Sequence, residues 1–125
     1  MKYNVFVYGT LKRGFCNNVL LNDATFLGEA ETINRMTMLS LGGFPMLVDS
    51  YGVSIIHGEV YEVDDDTLQE LDNLEGHPNF YMRKTTNVSI NGGKAVKAIT
   101  YLKGKHYRPY GSAIVLSGAW TKERT

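Results

Sequence analysis

The amino-acid sequence predicts a β-rich α+β domain, a small mixed β-barrel with flanking short helices. Three observations carry that expectation. Thirteen glycines stand against three prolines in 125 residues, so tight turns are frequent. Short β-branched or aromatic runs recur between those turns, and one segment alone has clear helical periodicity. Closing such strands into a barrel removes unpaired sheet edges. The length suits one hydrophobic core, so residues 1–125 are expected to form a single domain.

Tyr3 to Tyr8 is apolar on both faces and reads as a buried strand that Gly9 stops. Asn17 to Leu21 fits one short helical turn with Val19, Leu20 and Leu21 facing inward. Ala24 to Ile33 and Met36 to Leu41 look extended, and Gly42-Gly43 breaks them. Met46 to Val48 is a further short apolar run, followed by turn residues from Asp49 to Gly52. Glu59 to Val63 alternates with period two, as a half-solvated strand should. The clearest helix follows, with Asp65 or Asp66 as its cap and Leu68, Leu71 and Leu74 on one face. Gly76 and Pro78 end it. Strands near Thr85 to Ile90 and Ala95 to Tyr101 are joined by an Asn91-Gly92-Gly93 hairpin loop. The segment from Tyr107 to Trp120 mixes turns with apolar residues and follows no period.

Thirteen basic residues balance thirteen acidic ones, and hydrophobic residues make up 43% of the chain. That mixture belongs to a globular domain and argues against an overall affinity for nucleic acid or membrane. The single cysteine, Cys16, reads as a small buried residue. The first residues contain no long apolar run before a small-residue cleavage site, so a cytoplasmic location is expected. His57, His77 and His106 fall in no metal or triad spacing, and Asp64-Asp65-Asp66 reads as an acidic helix start rather than a metal site. One stretch, from Tyr101 through Lys103, Lys105, His106, Tyr107 and Arg108 to Tyr110, interleaves aromatic and basic side chains as single-strand binders do. With zero net charge, a solvated loop is preferred there and no nucleic acid is expected as a partner.

Two places carry candidate chemistry. Tyr8-Gly9-Thr10-Leu11 ends a buried strand in a glycine, which lets consecutive N–H groups approach an anionic ligand. A plain strand-ending turn explains the same residues. Glu75 falls at the helix C-terminus, where the backbone carbonyls already make the potential negative. Partial burial beside Leu74 would raise its pKa further toward neutrality, which suits a general base. A solvated glutamate tolerated at small cost is the alternative, and on the residues alone both readings stay open.

VYGTLKRG (Val7 to Gly14) followed by GEVYEVDDDTLQELDNLEGHPNFYMR (Gly58 to Arg83) resembles the gamma-glutamylcyclotransferase-like superfamily, and its gamma-glutamylamine cyclotransferase branch in particular. The resemblance runs from Tyr3 to about Tyr101. Beyond it, Ser117-Gly118-Ala119-Trp120 is similar to the family's Ser-Gly-Asp-Trp ending, with Ala119 in place of the acid. The resemblance implies a small barrel with a cavity beside the first strand, lined by Tyr8, Gly9, Thr10 and Leu11. It implies that Glu75, in the helix-ending L-D-x-L-E-G pattern, is the catalytic glutamate. It also implies that Tyr81 and Tyr101 line or close the pocket, with core packing as the other reading, and that Phe44-Pro45-Met46 lies beside it. The implied reaction closes 5-oxoproline from a small gamma-glutamyl substrate and releases an amine, with no cofactor and no metal. A non-catalytic binding domain of the same fold and, behind it, a single-stranded nucleic-acid module are the competing classes.

Overall fold

The computed structural model describes residues 1–50, 52–105, 107–109 and 111–122. Tyr51 of the expected turn, and His106 and Tyr110 of the basic–aromatic stretch, lie outside the described residues. Eight strands run in the order β1 (Lys2–Val7), β2 (Thr25–Thr32), β3 (Thr37–Ser40), β4 (Pro45–Val48), β5 (His57–Asp64), β6 (Tyr81–Ile90), β7 (Ala95–Lys103) and β8 (Ala113–Ile114). A 3-10 helix spans Cys16–Leu21, and one α-helix, α1, spans Asp65–Glu75.

In space the strands follow the order β1-β5-β2-β6-β7. A parallel pairing of Val5 with Ile99 then joins β7 back to β1. The result is a closed five-stranded mixed barrel, as the turn-rich sequence predicts. β4, β3 and β8 continue the sheet outward from β7. Because Val5 to Val7 of β1 are buried on both faces, alternate residues feed two apolar clusters. Phe6 packs with Met38, Leu47, Val60, Val88 and Trp120. Val5 and Val7 pack with Leu68 and Leu71 of α1 and with Tyr81 and Tyr101. No helix among the described residues is long and apolar enough to cross a membrane.

Four local expectations need correction. β5 is not half-solvated: Glu59 is 8% exposed and Tyr61 4%, because β5 lies between β1 and β2. Burial of the Glu59 carboxylate is tolerated because it accepts the Arg13 backbone N–H at 2.9 Å and the Tyr61 hydroxyl at 3.3 Å. The helix cap is Asp64, whose side chain accepts the Thr67 N–H at 2.8 Å, while Asp65 binds the N-terminal ammonium and the Tyr3 hydroxyl. Leu74 is exposed rather than aligned with the buried Leu68 and Leu71, since a spacing of three drifts round a 3.6-residue turn. Val19 likewise faces out, leaving Leu21 as the fully buried residue of the 3-10 helix. The unpatterned C-terminal segment supplies two core anchors, Val115 and Trp120.

Candidate active site

α1 ends at Glu75 because Gly76 takes a left-handed φ of 66° and donates its N–H back to the last turn. Glu75 lines a cavity of about 300 Å³. The same cavity is lined by Tyr8, Gly9, Thr10 and Leu11 after β1, by Phe44 and Pro45 at the start of β4, and by Tyr81 and Tyr101 from β6 and β7. The fold therefore gathers in one place every residue singled out from the sequence as a candidate site residue.

Their polar groups divide sharply between those already committed and those free. The carbonyls of Gly9, Thr10 and Leu11 accept hydrogen bonds from Lys12 N, Asn17 N and Asn18 Nδ2. Their three N–H groups have no protein acceptor among the described residues. Gly9 is required by contact: a Cβ there would lie 2.8 Å from Pro45 Cγ, closer than the packed wall allows. The three tyrosine hydroxyls are all committed. Tyr8 donates to the Tyr101 carbonyl at 2.6 Å, Tyr81 to the Pro45 carbonyl at 2.6 Å, and Tyr101 to Asp72 Oδ1 at 2.7 Å. They thus build the cavity wall and brace it as well, which unites the pocket and packing readings. Replacing Tyr81 by Phe strands the buried Pro45 carbonyl and is expected to cost about 1–2 kcal/mol. Urea unfolding of Tyr81→Phe beside wild type measures it, and an unchanged midpoint would mean that this bond carries no stability.

Glu75 is the contrasting case. Its carboxyl group has no hydrogen-bond or ion-pair partner among the described residues. Burial raises its pKa from 4.5 to about 7, since the charged form loses water and gains no protein donor. The physical cause is desolvation, one of the two effects expected at this position. No lysine or arginine among the described residues lines the cavity, so none of them there counters the shift.

Three further residues escaped the sequence reading. Asn17 clamps Thr10 twice, through its N–H to the carbonyl and its side-chain amide to Thr10 Oγ1. No sequence signal marks it. Asp72 holds Tyr101, and its place in the L-D-x-L-E-G segment was the available clue. Cys16 is exposed and lines the cavity, correcting its expected burial, because the short helix turns Leu21 rather than Cys16 into the core. The basic–aromatic stretch presents no exposed aromatic row among its described residues: Tyr101 is buried and Tyr107 packs on Phe80 with ring centroids 4.5 Å apart.

The barrel mouth thus sets a carboxyl group of raised pKa, with no partner among the described residues, in the same cavity as backbone N–H groups that have no protein acceptor there. That arrangement is able to carry a proton and to hold an anionic group. The profile of the family described as Gamma-glutamyl cyclotransferase, AIG2-like, matches residues 5–122, and the chain belongs to that family. A Methanocaldococcus jannaschii protein provisionally named a gamma-glutamylcyclotransferase is 41% identical over 102 residues, covering 81% of this chain and 83% of its own. The Rattus norvegicus gamma-glutamylaminecyclotransferase is 37% identical over 95 residues, covering 70% and 64%. The crystal structure of an AIG2-like protein from Mus musculus superposes with a TM-score of 0.81 at 29% identity, covering 93% of this chain and 87% of that one.

Proposed function

We propose that the protein is a gamma-glutamyl cyclotransferase acting on a small gamma-glutamyl amine or amide. The observation that carries this is the unpaired Glu75 carboxyl facing the same cavity as the free N–H groups of Gly9 to Leu11. The reaction is intramolecular. Glu75 takes a proton from the substrate's α-ammonium, and the freed amine attacks the γ-carbonyl carbon. The carbonyl oxygen gains negative charge as the ring closes. Protonated Glu75 then gives its proton to the departing nitrogen as the original C–N bond breaks. The second proton left on the ring nitrogen passes to the released amine, so the products are neutral-ring 5-oxoproline and the amine in its ammonium form. The N–H groups of Gly9, Thr10 and Leu11 hold the α-carboxylate or the developing oxyanion, so the flexible glutamyl chain is fixed in its ring-closing shape. No nucleic acid or membrane enters this reading.

A carboxylate near its ordinary pKa of about 4.3 is a weak base toward an α-ammonium of pKa about 8. With Glu75 raised to about 7, the mismatch shrinks to about one unit. The productive pair is charged Glu75 with protonated substrate, so kcat/KM is expected to rise with pH through about 7 and fall above about 8. The test is 5-oxoproline release, by mass spectrometry, from gamma-glutamyl amines, gamma-glutamyl dipeptides and glutathione across pH 5 to 9. The panel ranks leaving groups. No release from any of them by folded protein would reject the reading, and a flat profile from pH 5 to 7 would remove Glu75 as the base.

A further inference from the structure

Glu75 makes no side-chain bond of its own among the described residues, so something else must fix its place. The last turn of α1 contains no basic residue, although a cation is what the exposed carbonyls of a helix end favour. Asp72, one turn before Glu75, adds a further negative charge. Yet Asp72 is firmly tethered. Its side chain is 13% exposed, and its oxygens are divided: Oδ1 accepts the Tyr101 hydroxyl at 2.7 Å, and Oδ2 meets Arg83 Nη1 at 3.1 Å. Its backbone carbonyl accepts the His77 N–H at 3.0 Å across the Gly76 cap. Arg83 comes from β6 and Tyr101 from β7, which face each other in the ladder. Tyr101 in turn offers its carbonyl to the Tyr8 hydroxyl at 2.6 Å, and Tyr8 accepts the Leu47 N–H. The chain of bonds therefore runs from the helix end to the residue before Gly9.

We infer that Asp72 is a positioning residue, pinning the last turn of α1, and with it the Glu75 carboxyl, to β6 and β7 through Arg83 and Tyr101. Arg83 supplies from a neighbouring strand the cation that the helix sequence lacks. Pairing with Asp72 also keeps the Arg83 charge engaged, outside the cavity wall. Among the described residues, the ionisable groups lining the cavity with Glu75 are Tyr8, Tyr81, Tyr101 and Cys16, and none of them brings a positive charge.

This inference rests on Glu75 being the proton carrier, so its test reads placement separately from turnover. In the full chain, Asp72→Ala, Asp72→Asn and Arg83→Met are compared with wild type by kcat, by KM for 5-oxoproline release, and by carbon-13 NMR titration of the Glu75 carboxyl, assigned with Glu75→Gln. Asp72→Ala is expected to lower kcat about 10- to 100-fold, the scale of a small misplacement of a reacting group, with KM within about threefold. Its Glu75 titration should move from about 7 toward the ordinary carboxylate range as water reaches the loosened turn. Asp72→Asn keeps an acceptor for Tyr101 and should recover part of kcat. Arg83→Met, at a partly exposed position, should shift the titration in the same direction, and it carries the test if Asp72→Ala does not fold. An unmoved Glu75 titration in Arg83→Met and in either Asp72 variant, or a loss confined to KM, overturns the inference. Absence of turnover in wild type would instead reject the proposed reaction, while the titration still decides whether Asp72 places Glu75.

Discussion

Glu75→Gln is expected to reduce 5-oxoproline release by about 10²- to 10⁴-fold, the usual worth of a positioned general acid–base, and to make the fold more stable. The two effects have one cause. Glutamine keeps the shape and the polar end of the side chain but can neither take nor return the proton. It also removes a charge that the cavity leaves unpaired. A carboxyl whose pKa rises from 4.5 to about 7 on folding favours the folded state when protonated. Relative to that state, wild type loses stability as pH climbs from the unfolded value through about 7. Each unit is worth about 1.4 kcal/mol, so the loss by pH 8 is about 3 kcal/mol. Urea unfolding of wild type and Glu75→Gln at pH 4 and pH 8 reads this directly. The variant should be the more stable at pH 8, with the gap closing at pH 4. Equal stability at both pH values would mean that Glu75 is well solvated, and the argument for its basicity would fall with it.

Trp120→Ala is expected to give the largest loss of stability, about 3–5 kcal/mol. Trp120 is 1% exposed and packs with the Phe6, Met38, Leu47 and Val88 cluster, so truncation leaves a cavity that strands cannot collapse to fill. Its carbonyl also accepts Lys12 Nζ at 2.7 Å, tying the C-terminal segment to the loop after Leu11. Trp120→Phe should cost far less, because the indole N–H it removes is buried with no partner among the described residues. Circular dichroism suits the measurement, since Trp120 is the chain's one tryptophan. If Trp120→Ala costs under about 1 kcal/mol, the C-terminal segment is not part of the core.

The sequence was most legible where local chemistry decides structure. Gly76 and Pro78 punctuate α1, so the position of Glu75 at a helix end followed from its neighbours. The strand-ending glycine after Tyr8 was equally local, although its reason, contact with Pro45, was not. What stayed hidden depended on partners distant in sequence. Glu59 looked like the solvated half of an alternating strand because Arg13, which makes its burial tolerable, lies 46 residues away. Three consecutive aspartates left the helix cap undecided between neighbours, and the backbone selected Asp64. Asp72 resembled any helical acid until the β6–β7 ladder brought Arg83 and Tyr101 under it. Trp120 and Val115 sit in a stretch with no period, so only packing could assign them to the core.

The closure of the barrel between β1 and β7 has a consequence for how the protein is made. During synthesis the first strand emerges long before either of its partners, β5 and β7. No N-terminal fragment ending before Ile99 can close the ring, and such a fragment has neither a finished pocket wall nor the packing that raises the Glu75 pKa. Long-range pairing of this kind folds late and slowly. The buried setting of Glu75 therefore comes into being in the same step that completes the barrel, the pairing of β1 with β7.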